Sequence, residues 1–102
     1  MFKVKAPEMF DAILTIVGQG REQKLKLKYR HLLKDAYKEL VDKLAGGELT
    51  PAQVILDMVA EWDADMDLDI EGVELALQNQ IGLDTAIIYG YVQAIQVARK
   101  GN

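Results

Sequence analysis

The sequence predicts an α+β fold, in which an N-terminal β-hairpin or small antiparallel sheet is followed by about four α-helices. Residues 24–30 alternate strictly between polar and apolar side chains, which is the period of a strand with one buried face. From Leu32 onward the apolar residues recur at helical spacing instead. Glycines and a proline then divide the remaining chain into segments of helical length.

The length of 102 residues is that of one ordinary domain with a single core. We therefore predict a single domain over residues 1–102, made of a β segment at 1–30 and a helical segment at 31–102. A lone hairpin is only marginally stable in water, so the β segment is expected to pack on the helices.

The hairpin is predicted from two apolar stretches with glycines between them. Residues 10–17 are rich in Ile, Val, Leu and Thr, which favour strands. Residues 18–22 contain two glycines and predict the loop that joins this strand to residues 24–30. Phe2 and Val4 alternate with lysines and predict a short additional edge strand.

Two helices are predicted to follow the hairpin. Residues 32–44 place their apolar side chains on one stripe, and the glycine pair at 46–47 predicts its end. Thr50 as N-cap, Pro51 in the first turn and Gln53 closing a capping box predict the start of the second helix. Its predicted apolar stripe consists of Val54, Ile55, Met58, Val59 and Trp62.

Two further helices are predicted after an acidic run at residues 63–69. The third helix covers residues 70 to about 80, with Asp69 as its N-cap. The last helix begins at Leu83 or Asp84 and extends to about residue 99. Arg99 and Lys100 complement the dipole at its C-terminal end, and Gly101 is predicted to stop it.

The composition excludes several functional classes. Cysteine and serine are absent and His31 is the only histidine, so neither a Cys–His pair nor a Ser–His–Asp triad can form. The glycines at 18 and 20 lack the Lys-Ser/Thr ending of a phosphate loop. We therefore predict a protein that is not an enzyme and needs no cofactor.

Charge is distributed unevenly along the chain. Residues 1–47 carry a formal charge of +4 and residues 48–102 carry −8, giving the net charge of −4. An isoelectric point near 4.9 argues against nucleic acid as the main partner. The asymmetry predicts either attraction between the two parts or two differently charged surfaces. With no apolar run of membrane-spanning length and no signal-peptide pattern, we expect a soluble intracellular protein without a membrane partner.

The acidic run suggests an alternative, calcium-binding function. Asp63, Asp65, Asp67 and Glu74 occupy positions 1, 3, 5 and 12 of an EF-hand loop, whose flanks are helical. Position 6, where that loop needs glycine for its sharp turn, is Leu68. We therefore predict no metal site and interpret the run as a solvated linker that caps the next helix. A calcium-binding helix-loop-helix module at residues 63–74 remains the alternative.

Two surface patterns suggest protein partners. Arg21 and the row formed by Lys24, Lys26, Lys28 and Arg30 could dock an acidic protein, although lysines on a strand also prevent edge-to-edge aggregation. Large side chains of the kind enriched at interfaces lie near the last two apolar stripes. The predicted partner-binding residues are Trp62, Ile87, Tyr89 and Tyr91.

The chain resembles small bacteriophage tail assembly chaperones. The resemblance is carried by scattered positions, clearest in the second part: Trp62-Asp63-Ala64-Asp65, residues 75–79, residues 86–95 and the ending from Ala98 to Asn102. One departure is at residues 79–81, where the family often has Asn-Tyr-Pro and this chain has Asn-Gln-Ile.

The resemblance implies a phage or prophage protein that works in the cytoplasm of the bacterial host. Its expected partners are the tail tape measure protein and, as a second candidate, the tail tube protein. Self-association into a homo-oligomer is left open. A structural tail or head-completion protein is a further alternative to the chaperone, and its presence in purified virions would distinguish it.

Overall fold

The computed structural model describes residues 1–99, with side chains up to residue 96. The predicted roles of Arg99, Lys100 and Gly101 at the end of the last helix lie outside what it describes. The elements in chain order are β1 (Met9–Gly18), β2 (Arg21–Arg30), α1 (Lys34–Ala45), α2 (Pro51–Met58), β3 (Val59–Trp62), α3 (Ile70–Asn79) and α4 (Leu83–Arg99). Three antiparallel strands in the order β1-β2-β3 and four helices confirm the predicted α+β fold.

The hairpin joins β1 and β2 through a shorter turn than the predicted loop. Its register extends from Met9 opposite Arg30 to Gly18 opposite Arg21. Only Gln19 and Gly20 lie between the strands, with φ angles of 56° and 74°. Two successive residues with positive φ form the turn whose twist suits a two-residue hairpin.

The predicted strand at Phe2 and Val4 is wrong. Residues 1–8 contain no strand, and the side chains of Phe2 and Val4 are 87% and 86% exposed. The Glu8 carbonyl instead accepts a hydrogen bond of 2.7 Å from the His31 backbone N–H, which extends the hairpin ladder by one pair.

Strand β3 corrects the predicted extent of the second helix. Helix α2 ends at Met58, and Val59 has extended angles of φ −110° and ψ 123°. Val59 pairs with Tyr29 and Trp62 with Leu27, with a bulge between the pairs. Because the bulge adds one residue to β3, residues separated by three positions across it point to the same side of the sheet. The spacing of Val59 and Trp62 is therefore compatible with both a helix and a bulged strand, and the free edge of β2 selects the strand.

The core lies between the inner face of the sheet and helices α2, α3 and α4. The sheet contributes Leu25, Leu27 and Tyr29, and the capping box predicted for α2 is present. Helix α4 approaches the sheet closely at Gly90, where an added Cβ would lie 3.6 Å from Leu14 Cδ2. The buried residues are Leu25, Leu27, Tyr29, Ala52, Val54, Ile55, Met58, Val59, Val73, Ala76, Leu83, Ile87, Ile88 and Tyr91.

Helix α1 differs from α2 and α3 because none of its residues is fully buried. Its apolar stripe is half-buried and consists of Tyr37, Leu40, Val41 and Leu44. The Tyr37 hydroxyl donates a hydrogen bond of 3.1 Å to the Ile88 carbonyl of α4. Helix α1 thus packs against the outside of the core and contributes no fully buried side chain to it.

Candidate functional site

Two of the predicted partner-binding residues lie in the core. Ile87 is fully buried and Tyr91 is 3% exposed. The Tyr91 hydroxyl accepts a hydrogen bond of 2.8 Å from the Leu32 backbone N–H. A partner could not touch either side chain while the fold is intact.

Tyr91 belongs to a cluster of four aromatic rings that joins the hairpin to α1 and α4. Its ring is stacked on Tyr37 at 5.1 Å and lies edge-on to Tyr29 at 5.2 Å, with Phe10 at 5.6 Å. The Tyr29 hydroxyl donates a hydrogen bond of 2.7 Å to the Ile87 carbonyl. Burial, followed by the neighbouring Tyr37 and Tyr91 hydroxyls, raises the pKa of Tyr29 well above its ordinary value. The cluster is therefore a structural unit that connects β1, β2, α1 and α4.

Trp62 is half-buried on β3 and holds the segment that follows it. Its indole N–H donates a hydrogen bond of 2.8 Å to the Met66 carbonyl. Its side chain thus closes the turn at the start of the acidic run and packs against the core. Whether its remaining exposed surface contacts a partner stays a prediction.

Tyr89 is the predicted site residue that the structure places on the surface. It is 51% exposed and lines a groove of about 830 Å³ between β1 and α4. Among the described side chains, Asp11 is the only charged one in this lining, and its carboxylate lies 3.7 Å from the Lys28 amine. We define the β1–α4 groove by residues 11–15 of β1 and by Ala86, Tyr89, Gly90, Gln93 and Ala94 of α4.

The edge of β1 beside this groove has unpaired backbone groups. The His31–Glu8 hydrogen bond and the two-residue turn show that even-numbered residues of β1 direct their backbone groups toward β2. The odd-numbered residues from Met9 to Val17 therefore direct theirs outward. Within the described part of the chain no hydrogen bond reaches these outward groups. A strand edge of this kind can accept a further strand.

Two carboxylates of the acidic run make structural contacts. The Asp63 carboxylate accepts a hydrogen bond of 2.9 Å from the Lys26 backbone N–H, and Asp69 caps α3 through the Gly72 N–H at 2.7 Å. Glu74 lies within α3. Across residues 1–99, no three His, Asp or Glu side chains are grouped so that they could hold a metal ion.

The basic row lies on β2, which is the central strand of the sheet. Its lysines therefore cannot guard a free edge. Lys28 is close to Asp11, and the Lys24 amine donates a hydrogen bond of 3.2 Å to the Thr15 hydroxyl. Arg30 donates to the Leu56 and Val59 carbonyls at 2.8 and 3.0 Å, so that it caps the end of α2. This row is largely engaged within the molecule.

Comparison with protein families identifies the chain. The family model described as phage tail assembly chaperone matches residues 2–102, which is essentially the whole chain. The chain belongs to this family. No curated protein and no solved structure matches it significantly. Membership of a chaperone family points to a protein that binds phage tail proteins and performs no catalysis. Separately, no helix within residues 1–99 is long and apolar enough to cross a membrane.

The β1–α4 groove of this tail assembly chaperone could not be located from the sequence. Tyr89, Ile87 and Tyr91 are close together in the sequence, and the apolar stripe of α4 is wide enough to include all three. The available signal was Gly90, because a residue without a Cβ marks the side of α4 that approaches β1. Ile87 and Tyr91 are buried on that packed side, whereas Tyr89 is exposed.

Proposed function

We propose that this chaperone binds the tail tape measure protein in the cytoplasm of the bacterial host and keeps it soluble until the tail assembles. The tail tube protein is the second client. The chaperone acts by protein–protein contact, without a reaction or a cofactor. The observation that carries this proposal is the family match over residues 2–102.

The β1–α4 groove is the proposed client site. Its lining is almost uncharged, and Tyr89 offers an aromatic ring of the type that dominates binding energy at interfaces. Ile87 and Tyr91 support the groove from the core, while Trp62 holds the opposite edge of the sheet. A groove with a single charged residue among its described lining suits the apolar segments that an unassembled tail protein exposes.

Co-expression with the tape measure protein encoded nearest to this gene tests the function. We expect the tape measure protein to become soluble and to comigrate with the chaperone on a sizing column. If the tape measure protein stays insoluble and the chaperone elutes alone, repeating the experiment with the tube protein decides between the two clients. Failure with both contradicts the proposed function.

Substitutions on α4 test the site. Tyr89→Gln removes the exposed ring without adding charge, and we expect it to weaken client binding at least about tenfold, which is the effect of a modest hot-spot residue. Val92→Gln is the matched control, because Val92 is 43% exposed on the same helix and does not line the groove. Equal client binding by both variants would remove Tyr89 from the site.

A further inference from the structure

We propose that the free edge of β1 pairs with β1 of a second copy, which joins two three-stranded sheets into one antiparallel sheet of six strands. The inference rests on the pattern of β1 and its unpaired edge, and it goes beyond client binding. A two-fold axis through Ile13 would relate the copies.

The available hydrogen-bonding groups define which residues can meet. Because the odd-numbered residues of β1 direct their backbone groups outward, an added antiparallel strand must pair odd residues with odd residues. The edge from Met9 to Val17 offers five such residues. A register centred on Ile13 uses all five, whereas each shift away from that centre uses fewer.

This register makes β1 complementary to itself. On the outer face, Ile13 lies opposite Ile13 of the second copy, and Met9 lies opposite Val17. These side chains are 60%, 44% and 74% exposed in the single copy, so pairing would cover apolar surface that now faces water. Asp11 lies opposite Thr15, whose hydroxyl can donate to its carboxylate.

Charge also favours a second copy over an unrelated strand. Asp11 is the only charged residue of β1, and the register places the two Asp11 residues about 14 Å apart along the strands. No like charges therefore meet across the seam. On the inner side, Ala86, Gly90 and Ala94 of α4 are small and leave space beside the strand. The second copy would cover the β1–α4 groove, so client and second copy compete.

The oligomeric state of the purified chain, measured by light scattering over a dilution series, tests the pairing. We expect a dimer that dissociates on dilution. Ile13→Glu places two carboxylates opposite each other at the two-fold axis, yet within one copy residue 13 pairs with Lys26. We therefore expect this variant to stay folded and to raise the dissociation constant at least about tenfold.

Ile81→Glu is the matched control, because Ile81 is 97% exposed in the turn before α4 and belongs neither to β1 nor to the lining of the β1–α4 groove. It should dimerise like the original chain. A monomer at all concentrations, or equal loss of dimer in both variants, would overturn the proposal. Because the chain is measured alone, this failure would leave the client experiment unaffected.

Cross-linking tests the register, since the chain has no cysteine of its own. The Cα atoms of a hydrogen-bonded antiparallel pair lie about 5.5 Å apart, within the range that a disulfide spans. Ile13→Cys should therefore give a covalent dimer on oxidation. Val17→Cys should not, although Val17 is more exposed, because its two copies would be about 27 Å apart. Equal cross-linking of both would contradict the register.

Discussion

At the residue scale, Gly72 is required by a close backbone approach. A Cβ at this position would overlap the Asp67 carbonyl group, since the acidic run folds back over the first turn of α3. The Asp69 carboxylate accepts a hydrogen bond from the backbone N–H of Gly72. Gly72 is thus in the position that a tightly capped helix needs.

We expect Gly72→Ala to lower the free energy of unfolding by about 1–3 kcal/mol, the usual cost of overpacking. Urea denaturation measures this difference. Gly18→Ala is the control, because no atom lies within 4 Å of a Cβ at Gly18, and its effect should stay within about 0.5 kcal/mol. Equal stability of the two variants would show that the Asp67–Gly72 approach is not tight.

The exposure of Tyr89 and the burial of Tyr91 could not be predicted from the sequence. A stripe of apolar residues identifies the buried side of a helix only within about one residue on either flank. Tyr89 and Tyr91 both lie near that boundary in α4, and only the packing of α4 on β1 separates a 51% exposed ring from a 3% exposed one. The capping residues Thr50 and Asp69, by contrast, act locally and were correctly predicted.

At the element scale, the direct passage from α2 to β3 depends on Arg30. Its guanidinium donates hydrogen bonds to carbonyls at the end of α2 and at the start of β3. These carbonyls would otherwise need water, because a helix leaves its last carbonyls unpaired. Arg30 therefore joins two elements that are distant from it in the sequence. Local periodicity contains no sign of such a contact, so it predicted that the second helix continues to Trp62.

Arg30→Ala should destabilise the fold by about 1 kcal/mol, since the lost hydrogen bonds involve a charged donor at a helix C-terminus that is partly solvated. Thermal unfolding followed by circular dichroism would detect this as a lower Tm. Lys24→Ala is the control on the same strand, because Lys24 bonds only to an exposed hydroxyl among the described residues. A similar Tm for both variants would contradict the capping role.

At the scale of the whole molecule, the charge asymmetry is not matched by ion pairs between the basic and the acidic part of the described chain. The three ion pairs found among residues 1–99 all lie within the basic part, namely Lys28–Asp11, Lys38–Asp42 and Lys43–Glu39. The fold class and the order of the hairpin and the four helices followed from periodicity and glycine positions. The third strand and the groove did not, because both depend on neighbours distant in the sequence.

The stability of the whole molecule should depend on pH in the alkaline range through Tyr29. Its pKa is raised by burial above the ordinary 10.0, so the unfolded chain loses the phenolic proton at a pH where the folded chain keeps it. The contribution of Tyr29 to the free energy of unfolding is fully present below pH 10. It decreases as the pH rises above 10, by at most about 1.4 kcal/mol per pH unit.

Urea denaturation at a series of pH values around 10 would measure this slope. Tyr29→Phe should show a shallower decline, whatever its stability at neutral pH, because the titrating group is gone. An unchanged slope would assign the effect to other groups. The same curves test the proposal that residues 1–102 form one domain, which requires a single cooperative transition.

Helix α1 gives the molecule a second level of stability. Helix α1 has no fully buried residue, and it is held by half-buried leucines and by the ring stack and hydrogen bond of Tyr37 on α4. We therefore expect it to separate from the body at a lower free energy than the sheet and the other helices. Such partial opening would release the stripe of Tyr37, Leu40, Val41 and Leu44 and would uncover the Tyr91 ring, while the sheet and helices α2, α3 and α4 stay packed on one another. The protein could therefore expose additional apolar surface through the opening of α1 alone, without global unfolding.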